Sequence, residues 1–221
     1  MARVDARIIG GLLALALAVG CDNGGSGGNG ASADTNTNTP PADTVTTVAA
    51  DNFPDGLHPD AAASSDIAAV FAGQLSGTPG AGSDANTIVC LGDSITAAGY
   101  PSFLATQTGK QVVNSGVPGE ESPSGAARVS SLLFTYHPGY ICILYGINDL
   151  ISHRAPADIV QYLSQIVATA RAAGAVPVLA TLTPVSGMYG KYQSDVDDLN
   201  AQIREVASGQ GIALADLAAI F

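Results

Sequence analysis

Ser94 stands directly after a short apolar run, in the segment GDSIT at residues 92–96. A serine on a tight turn between a strand and a helix exposes its hydroxyl and directs its own amide into the same space, which suits a nucleophile. The glycines around Ser94 are not spaced as in the G-x-S-x-G turn of α/β-hydrolases, and the segment lacks the lysine of a phosphate-binding loop. The chemistry that this segment indicates is nucleophilic attack by a serine oxygen.

Five apolar runs are candidates for the strands that would position such a turn. They span residues 87–91, 111–114, 140–145, 176–180 and 212–215. Helical spacing of apolar residues predicts helices between them, most clearly over 156–173, ended by Gly174, and over 194–208, with Ser194 as N-cap and Asp197 in the capping-box position. Buried strands separated by helices predict an α/β fold with a doubly wound, five-stranded parallel sheet. In such sheets the functional site lies at the carboxyl ends of the strands.

Two further segments follow predicted strands in the same way. NSGVPGE occupies residues 114–120 after the second strand, and GIND occupies residues 146–149 after the third. GDSIT, NSGVPGE and GIND, in this order, resemble the first three sequence blocks of the SGNH (GDSL) hydrolase family. The resemblance implies a serine esterase with a flavodoxin-like, three-layer α/β/α fold.

The resemblance also implies roles for individual residues. Ser94 matches the nucleophile of the family, and its own amide, a block-two glycine and Asn148 match the donors of the oxyanion hole. Gly119, just before an acidic residue, is the better match for the glycine, and Gly116 is the alternative, more typical of a turn glycine. Losing one such donor costs about 3 kcal/mol of transition-state stabilisation. Asp93 and Asp149, which adjoin Ser94 and Asn148, are expected to brace these loops.

The family also carries a D-x-x-H motif after its fifth strand, which supplies a general base and the carboxylate that orients it. No histidine follows His153 in this chain, but DNFPDGLHPDAA at residues 51–62 resembles that block, and residues 63–75 resemble the helix that follows it. Residues 213–221 resemble the segment that normally precedes the motif. We therefore expect a circularly permuted domain, whose old ends are joined by residues 76–86 as a loop without a packing role.

In the permuted order His58 is the general base and Asp55 orients it. An imidazole titrates in the range that proton transfer from Ser94 requires, and a carboxylate three residues earlier would stabilise its cation. DGLHP could instead be a simple turn before a helix that begins with proline. His153 lies at the same predicted sheet edge and is the rival base, although a substrate contact or a surface position fits it better, whereas His137 precedes the third strand and lies at the opposite edge.

The first 48 residues have the composition of targeting and tether segments. Residues 1–20 combine an arginine-containing start with an apolar run of the kind found in secretory signals, and LAVG before Cys21 resembles the lipobox of bacterial lipoproteins. Residues 21–48 are rich in Gly, Ser, Thr and Asn and predict a flexible linker, which leaves residues 49–221 as the hydrolase domain, with its core from residue 87 onward. We expect export and a lipid anchor on Cys21, with the domain facing the periplasm or the cell exterior.

The composition of the chain limits the partners and cofactors that can be expected. The net charge of -11 excludes a basic phosphate-binding surface, so nucleic acid is not an expected partner. The sequence contains no metal-ligand cluster and no cofactor motif, and Cys90 and Cys142 are expected to be buried thiols within neighbouring strands. No cofactor is therefore predicted.

Three functions fit this sequence. The favoured one is hydrolysis of short-chain or acetyl esters of carbohydrates or aryl alcohols. The alternatives are a lysophospholipase or thioesterase acting on lipid esters, which a membrane anchor would suit, and a non-catalytic binding module. Residues 183–193, TPVSGMYGKYQ, follow the fourth strand and either line the acyl or alcohol pocket or form an exposed loop.

Overall fold

The structure, a computed structural model, describes residues 52–221. Its strands are β1 (Asp84–Gly92), β2 (Gln111–Gly116), β3 (Pro138–Leu144), β4 (Val176–Ala180) and β5 (Ala213–Ala215). Its α-helices are α1 (Ala61–Gln74), α2 (Ser94–Ala98), α3 (Tyr100–Thr108), α4 (Ser122–Tyr136), α5 (Ile147–Ile151), α6 (Pro156–Ala172) and α7 (Gln193–Gln210). Two short 3-10 helices cover Gly187–Tyr192 and Leu217–Ala219.

The five strands form one parallel sheet in the order β2-β1-β3-β4-β5. Crossovers between parallel strands are right-handed, so α3 lies on one face of the sheet and α4, α6 and α7 lie on the other. The helix contacts agree, because α4 packs on α6 and α6 on α7, whereas α3 packs on α1. The predicted doubly wound α/β fold is confirmed.

The central strands β1 and β3 are covered on both faces. All of β3 is buried, and β1 is buried from Thr87 onward. Cys90 and Cys142 are register partners in these two strands, and both are free, fully buried thiols. Strands that are covered on both faces consist of nearly continuous apolar residues. The burial of both thiols therefore agrees with the apolar runs from which these strands were predicted.

Strand β1 begins three residues before the predicted start at residue 87. The amide of Asp84 donates to the carbonyl of His137 at 2.7 Å, and Asp84 pairs with Pro138 before a register shift. The extension consists of the exposed residues Asp84, Ala85 and Asn86, which show no alternation of large apolar side chains, so the sequence pattern does not predict it.

Helix α1 connects the carboxyl edge of the sheet to its amino edge. Asp60 caps it, since its side chain accepts a hydrogen bond from the amide of Ala63 at 2.8 Å. Ile67 and Phe71 are fully buried, and the ring of Phe71 stacks on that of Tyr100 in α3 at 5.0 Å. The predicted helix is therefore present and begins two residues earlier than residue 63.

The segment that joins α1 to β1 packs against the domain, contrary to the expectation of a loop without a packing role. The Gly80 amide donates to the carbonyl of Gly174 at 2.8 Å, and a Cβ on Gly80 would lie 2.9 Å from the Cα of Gly174. The hydroxyl of Tyr140 donates to the carbonyl of Gly77 at 3.2 Å. Glycine allows the two backbone segments to approach each other this closely. The glycine content that is typical of a linker therefore allows this segment to pack against the domain.

Helix α7 begins at Gln193, and Ser194 is not its N-cap. The chain enters α7 directly from the 3-10 helix Gly187–Tyr192, so Tyr192 occupies the cap position without a side-chain bond to the helix. Asp197 accepts a hydrogen bond from the side chain of Gln193 at 2.8 Å instead of closing a capping box. The predicted cap was wrong because the preceding turn continues into the helix.

The predicted signal segment (1–20), the lipidation residue Cys21 and the linker (21–48) lie outside the described residues. Within residues 52–221, no helix has the length and apolar character needed to cross a membrane.

Candidate active site

A tight turn before α1 holds Asp55 against His58. One carboxylate oxygen of Asp55, Oδ1, accepts hydrogen bonds from the amides of Leu57 at 2.9 Å and His58 at 2.7 Å. The other oxygen, Oδ2, lies 2.6 Å from Nδ1 of the His58 ring. The carboxylate favours the tautomer with its proton on Nδ1, which leaves Nε2 as an acceptor.

Gly56 attaches this turn to the segment after β4. Its φ is +82°, and a Cβ at this position would lie 2.4 Å from the carbonyl oxygen of Ser186. The amide of Ser186 donates back to the carbonyl of Gly56 at 2.9 Å. The turn is also anchored by the buried side chains of Phe53 and Leu57. Residues 183–193, predicted as a pocket wall or an exposed loop, thus support the Asp55–His58 turn.

Ser94 is the first residue of α2, at the carboxyl end of β1. Its Oγ lies 2.9 Å from Nε2 of His58. The two bonds of His58 connect carboxylate, imidazole and hydroxyl in one chain. This geometry allows the imidazole to accept the hydroxyl proton while the carboxylate stabilises the cation that forms.

The local environment keeps Asp55 ionised. Partial burial alone would raise its pKa, but the hydrogen bonds from the His58 ring and from the amides of His58 and Leu57 lower the pKa of Asp55 to about 2. Its side chain is 52% exposed, so solvent screens part of this interaction.

Asp93, directly before Ser94, is fully buried. Its Oδ1 accepts from the amide of Ile95 at 2.9 Å, and its Oδ2 accepts from Nδ2 of Asn148 at 3.3 Å. Burial raises the pKa of Asp93 to about 7, although the bond from Ile95 acts in the opposite direction. Asp93 therefore braces the start of α2, where Ser94 lies, and Asn148, as the sequence predicts.

Asn148 lies on the short helix α5, after β3. Besides Asp93, its Nδ2 donates to the carbonyl of Glu120 at 3.1 Å. The side chain is thus held between the residue before Ser94 and the residue after Gly119. Asp149 is braced separately, since its buried carboxylate accepts from the amide and hydroxyl of Ser122 at 2.9 and 2.7 Å.

The two candidate glycines of block two occupy different environments. Gly119 has φ +77° in a turn that is closed by the amide of Glu120, which donates to the carbonyl of Val117 at 3.1 Å. A Cβ on Gly119 would meet no atom within 4 Å apart from those of its chain neighbours. Gly116 is the last residue of β2, and its amide already donates to Oδ1 of Asn114 at 3.0 Å. A Cβ on Gly116 would lie 2.2 Å from the amide nitrogen of Ala97 in α2, so Gly116 serves close packing rather than a turn.

A cluster of charged and polar side chains around residues 114–120 was not predicted from the sequence. Arg128 on α4 contacts Glu120, Ser115 and Tyr145. The hydroxyl of Tyr145 donates to Oε2 of Glu120, one of the two carboxylate oxygens that Arg128 contacts. A single arginine on an amphipathic helix is typical of an exposed surface charge. Its partners lie in two other segments, residues 114–120 and the end of β3, so no local pattern predicts the cluster. The only sequence signal for this cluster was Glu120, the acidic residue that follows Gly119.

The other predicted residues lie apart from this arrangement. His153 is exposed, with φ +63°, on the turn after α5, and within residues 52–221 its ring has no hydrogen-bond partner. His137 is the C-cap of α4, at the amino edge of the sheet. Met188 is 76% exposed. The structure therefore brings His58, not His153, to Ser94.

Three cavities of the described residues lie away from Ser94. One of about 580 Å³ lies at the amino edge of the sheet, between the segment 74–80 and the starts of β4 and β5. Two others, of about 450 and 390 Å³, border α6. Within residues 52–221, no group of three or more His, Cys, Asp or Glu side chains is arranged to hold a metal ion.

The sequence is similar to those of bacterial hydrolases. It is 34% identical over 116 residues to thioesterase 1/protease 1/lysophospholipase L1 of Escherichia coli K12, covering 48% of this chain and 55% of that protein. Esterase TesA of Pseudomonas aeruginosa is 34% identical over 107 residues, covering 43% and 53%. A Bacillus subtilis protein, "Probable rhamnogalacturonan acetylesterase YesY", is 27% identical over 146 residues, covering 60% and 66%. The chain thus spans about half the length of the first curated relatives it matches.

Solved structures share the fold. The crystal structure of TesA superposes with a TM-score of 0.50 at 30% identity, covering 58% of this chain and 76% of that one. The SGNH-hydrolase family esterase AlinE4 gives a TM-score of 0.51 at 23% identity, with 61% and 77% covered.

The family model described as the GDSL-like lipase/acylhydrolase family matches residues 90–221, from the end of β1 onward. Because this match covers more than half of the chain, the protein belongs to the GDSL-like lipase/acylhydrolase (SGNH) family.

Proposed function

We propose that this protein is a serine esterase that hydrolyses carboxylic esters through an acyl intermediate on Ser94. The observation that carries the proposal is the chain of two hydrogen bonds from Asp55 Oδ2 through the His58 ring to Ser94 Oγ, at 2.6 and 2.9 Å. Membership of the GDSL-like lipase/acylhydrolase family supports it independently.

In the proposed reaction His58 moves one proton in each half. Nε2 accepts the proton of the Ser94 hydroxyl as Oγ bonds to the ester carbonyl carbon, and it returns that proton to the departing alcohol. Water then repeats the sequence: His58 takes its proton, the hydroxide oxygen attacks the acyl carbon, and the proton returns to Ser94 as the acid leaves. Asp55 remains ionised throughout and holds the imidazole.

The amides of Ser94 and Gly119 and the Nδ2 of Asn148 are the proposed oxyanion donors. Ser94 begins a helix, where the first amides have no partner within the helix. Gly119 is preferred to Gly116 because the amide of Gly116 already bonds to Asn114. Asn148 is held beside both, because its Nδ2 donates to Asp93 at 3.3 Å and to the carbonyl of Glu120 at 3.1 Å. These bonds use both hydrogens of Nδ2, so the longer one, to Asp93, must open when Asn148 donates to the alkoxide. The two backbone donors are fixed in advance and stabilise the alkoxide without reorganisation.

The domain is proposed to be a circular permutation of the family order. The Asp55–His58 turn and α1 precede β1 in the chain, yet α1 packs on α3, and the family match begins only at residue 90. The Phe53 ring lies edge-on to the Phe221 ring at 5.1 Å, so the segment after β5 adjoins the start of the turn. A direct connection there would restore the order in which the turn follows β5.

The proposed substrates are esters with short acyl groups, such as acetyl esters of carbohydrates or aryl alcohols. The Bacillus subtilis relative named as an acetylesterase supports this class. Lipid esters are the second candidate, because the Escherichia coli relative is named a thioesterase and lysophospholipase.

Hydrolysis of a p-nitrophenyl ester series from acetate to palmitate by the purified protein tests the proposal. We expect turnover that is highest for acetate and butyrate and that is lost in Ser94→Ala. A preference for palmitate would transfer the assignment to lipid esters. No turnover of any ester by the folded protein would contradict the esterase assignment.

We also propose that Cys21 carries a lipid anchor to a bacterial membrane, on the strength of the sequence before it. Expression of the full chain followed by membrane fractionation tests this. Cys21→Ser is expected to move the protein into the soluble exported fraction, and unchanged fractionation would contradict acylation.

A further inference from the structure

The carboxylate of Glu120 is held by an arginine from another element. Nε of Arg128 donates to Oε1 and Oε2 at 2.9 and 3.0 Å, and Nη2 donates to Oε2 at 2.6 Å. The Glu120 side chain is 8% exposed and that of Arg128 is 25% exposed. The fully buried Tyr145 donates its hydroxyl to the same Oε2. A nearly buried carboxylate with this many donors has a fixed position.

The same guanidinium reaches the ends of β2 and β3, the two strands that flank β1 in the sheet. Nη1 donates to the hydroxyl of Ser115 at 2.6 Å, and Nη2 donates to the carbonyl of Ser115 at 2.6 Å. Nη2 also lies 2.9 Å from the hydroxyl oxygen of Tyr145, just after β3, so its two hydrogens are shared among three acceptors. We call Arg128, Glu120, Ser115 and Tyr145 the guanidinium clamp. It connects α4 to the carboxyl ends of β2 and β3 and to the loop of block two.

The backbone of Glu120 lies between two of the proposed oxyanion donors. Its amide closes the turn that presents Gly119, by donating to the carbonyl of Val117 at 3.1 Å. Its carbonyl accepts from Nδ2 of Asn148 at 3.1 Å. A shift of Glu120 would therefore move the Gly119 amide and release Asn148 together.

We propose that Arg128 is a positioning residue of the reaction, which sets the oxyanion donors Gly119 and Asn148 by clamping the side chain of Glu120. The proposal rests on the proposed esterase function. Arg128 touches neither Ser94 nor His58, so it acts through Glu120 and not on the reacting atoms. Lysine cannot replace it, because a single ammonium group cannot make these branched contacts.

The test measures kcat and KM of Arg128→Lys and Arg128→Gln on p-nitrophenyl acetate. Removing one oxyanion donor lowers kcat by about a hundredfold to a thousandfold, and displacing donors without removing them should lower it by roughly tenfold to a hundredfold. KM should change less than about threefold, since the donors act on the transition state. Arg204→Gln is the matched control, because Arg204 forms a comparable pair with Asp216, at 2.9 and 2.7 Å, outside the clamp.

A double-mutant cycle separates positioning from general destabilisation. In Asn148→Ala, part of what Arg128 positions is already absent, so Arg128→Gln should lower kcat much less than it does in the wild type. A purely structural role would lower kcat equally in both backgrounds. Equal effects, or unchanged kcat in Arg128→Gln, would overturn the proposal.

Circular dichroism and thermal melting establish that each variant is folded at the assay temperature. If Arg128 variants do not fold, Ser115→Ala and Tyr145→Phe, which each remove one hydroxyl of the clamp, carry the same test. We expect both to lower kcat with little change in KM, and unchanged kcat in both would overturn the proposal. An inactive wild type would refute the esterase function itself, whereas an active wild type with unaffected clamp variants refutes only the role of Arg128.

Discussion

Nε2 of His58 lies 2.9 Å from Oγ of Ser94, although His58 precedes Ser94 by 36 residues in the chain. The contact forms because α1 runs from the carboxyl edge of the sheet to the amino edge, where the chain enters β1 and returns to the carboxyl edge at Ser94. The proposed base and the proposed nucleophile thus belong to one helix–strand unit, formed by α1 and β1.

Replacing His58 with alanine should lower kcat for ester hydrolysis by at least about a thousandfold, because no other imidazole lies within hydrogen-bond distance of Ser94 among residues 52–221. His153→Ala is the matched control and should keep kcat within about threefold, since its ring is exposed and remote from these contacts. Initial rates with p-nitrophenyl acetate measure both. Survival of activity in His58→Ala together with its loss in His153→Ala would reverse the assignment of the base.

Asp93 should make the protein less stable as the pH rises. Its pKa is about 7 in the folded state against 3.8 for the free side chain, so between these values the folded chain holds a proton that the unfolded chain has lost. This contribution to the free energy of unfolding is present below about pH 4 and declines by a few kcal/mol as the pH rises through 7.

Urea unfolding of wild type and Asp93→Asn at pH 4.5 and pH 8, as representative values between and above these pKa values, measures this contribution. Asparagine does not titrate, so the variant should lose less stability over this interval than the wild type. Parallel pH dependence in the two proteins would show that Asp93 has an ordinary pKa.

Gly56→Ala should destabilise the protein and reduce kcat. A Cβ at this position would meet the carbonyl oxygen of Ser186 at 2.4 Å, so the Asp55–His58 turn would have to move. Gly82→Ala is the matched control, because Gly82 also has a positive φ, +89°, but open space around it. Both variants bear the cost of the left-handed backbone, about 1–2 kcal/mol, and only Gly56→Ala should lose activity. Equal kcat in the two variants would mean that the contact with Ser186 does not position the turn.

Restoring the family order should preserve activity. A chain that runs from residue 84 to residue 221, then through a short Gly-Ser linker to residues 52–75, keeps the Asp55–His58 turn next to Phe221. The cut removes the bonds of Gly77 and Gly80 to the domain, so a loss of about 1–2 kcal/mol in stability is expected.

Thermal melting and ester hydrolysis compare this rearranged chain with the wild type, and the rearranged chain carrying His58→Ala is the control. An active rearranged chain whose activity disappears with His58→Ala supports the permutation. A folded but inactive rearranged chain would argue against it.

The sequence predicted the elements well where a local pattern encodes them. Apolar runs such as Ile141–Leu144 mark buried strands, and the spacing of Ile67 and Phe71 marks α1, because these patterns follow from the geometry of a single element. The pattern did not encode the exposed start of β1 at Asp84 or the first turn of α7, since their limits depend on contacts with other segments.

Residue types and order alone determined which side chains could do chemistry in this protein: a serine after a strand, an asparagine after another, and an Asp-x-x-His turn ahead of both. Only the tertiary structure decided that His58 and not His153 contacts Ser94, and that Arg128 holds Glu120. It also decided that the amide of Gly116 bonds to Asn114, whereas a side chain on Gly119 would meet no neighbouring atom. These contacts join segments that are distant in the chain. Which side chains meet depends on how the crossovers stack the strands and helices, and no local pattern of residues records that.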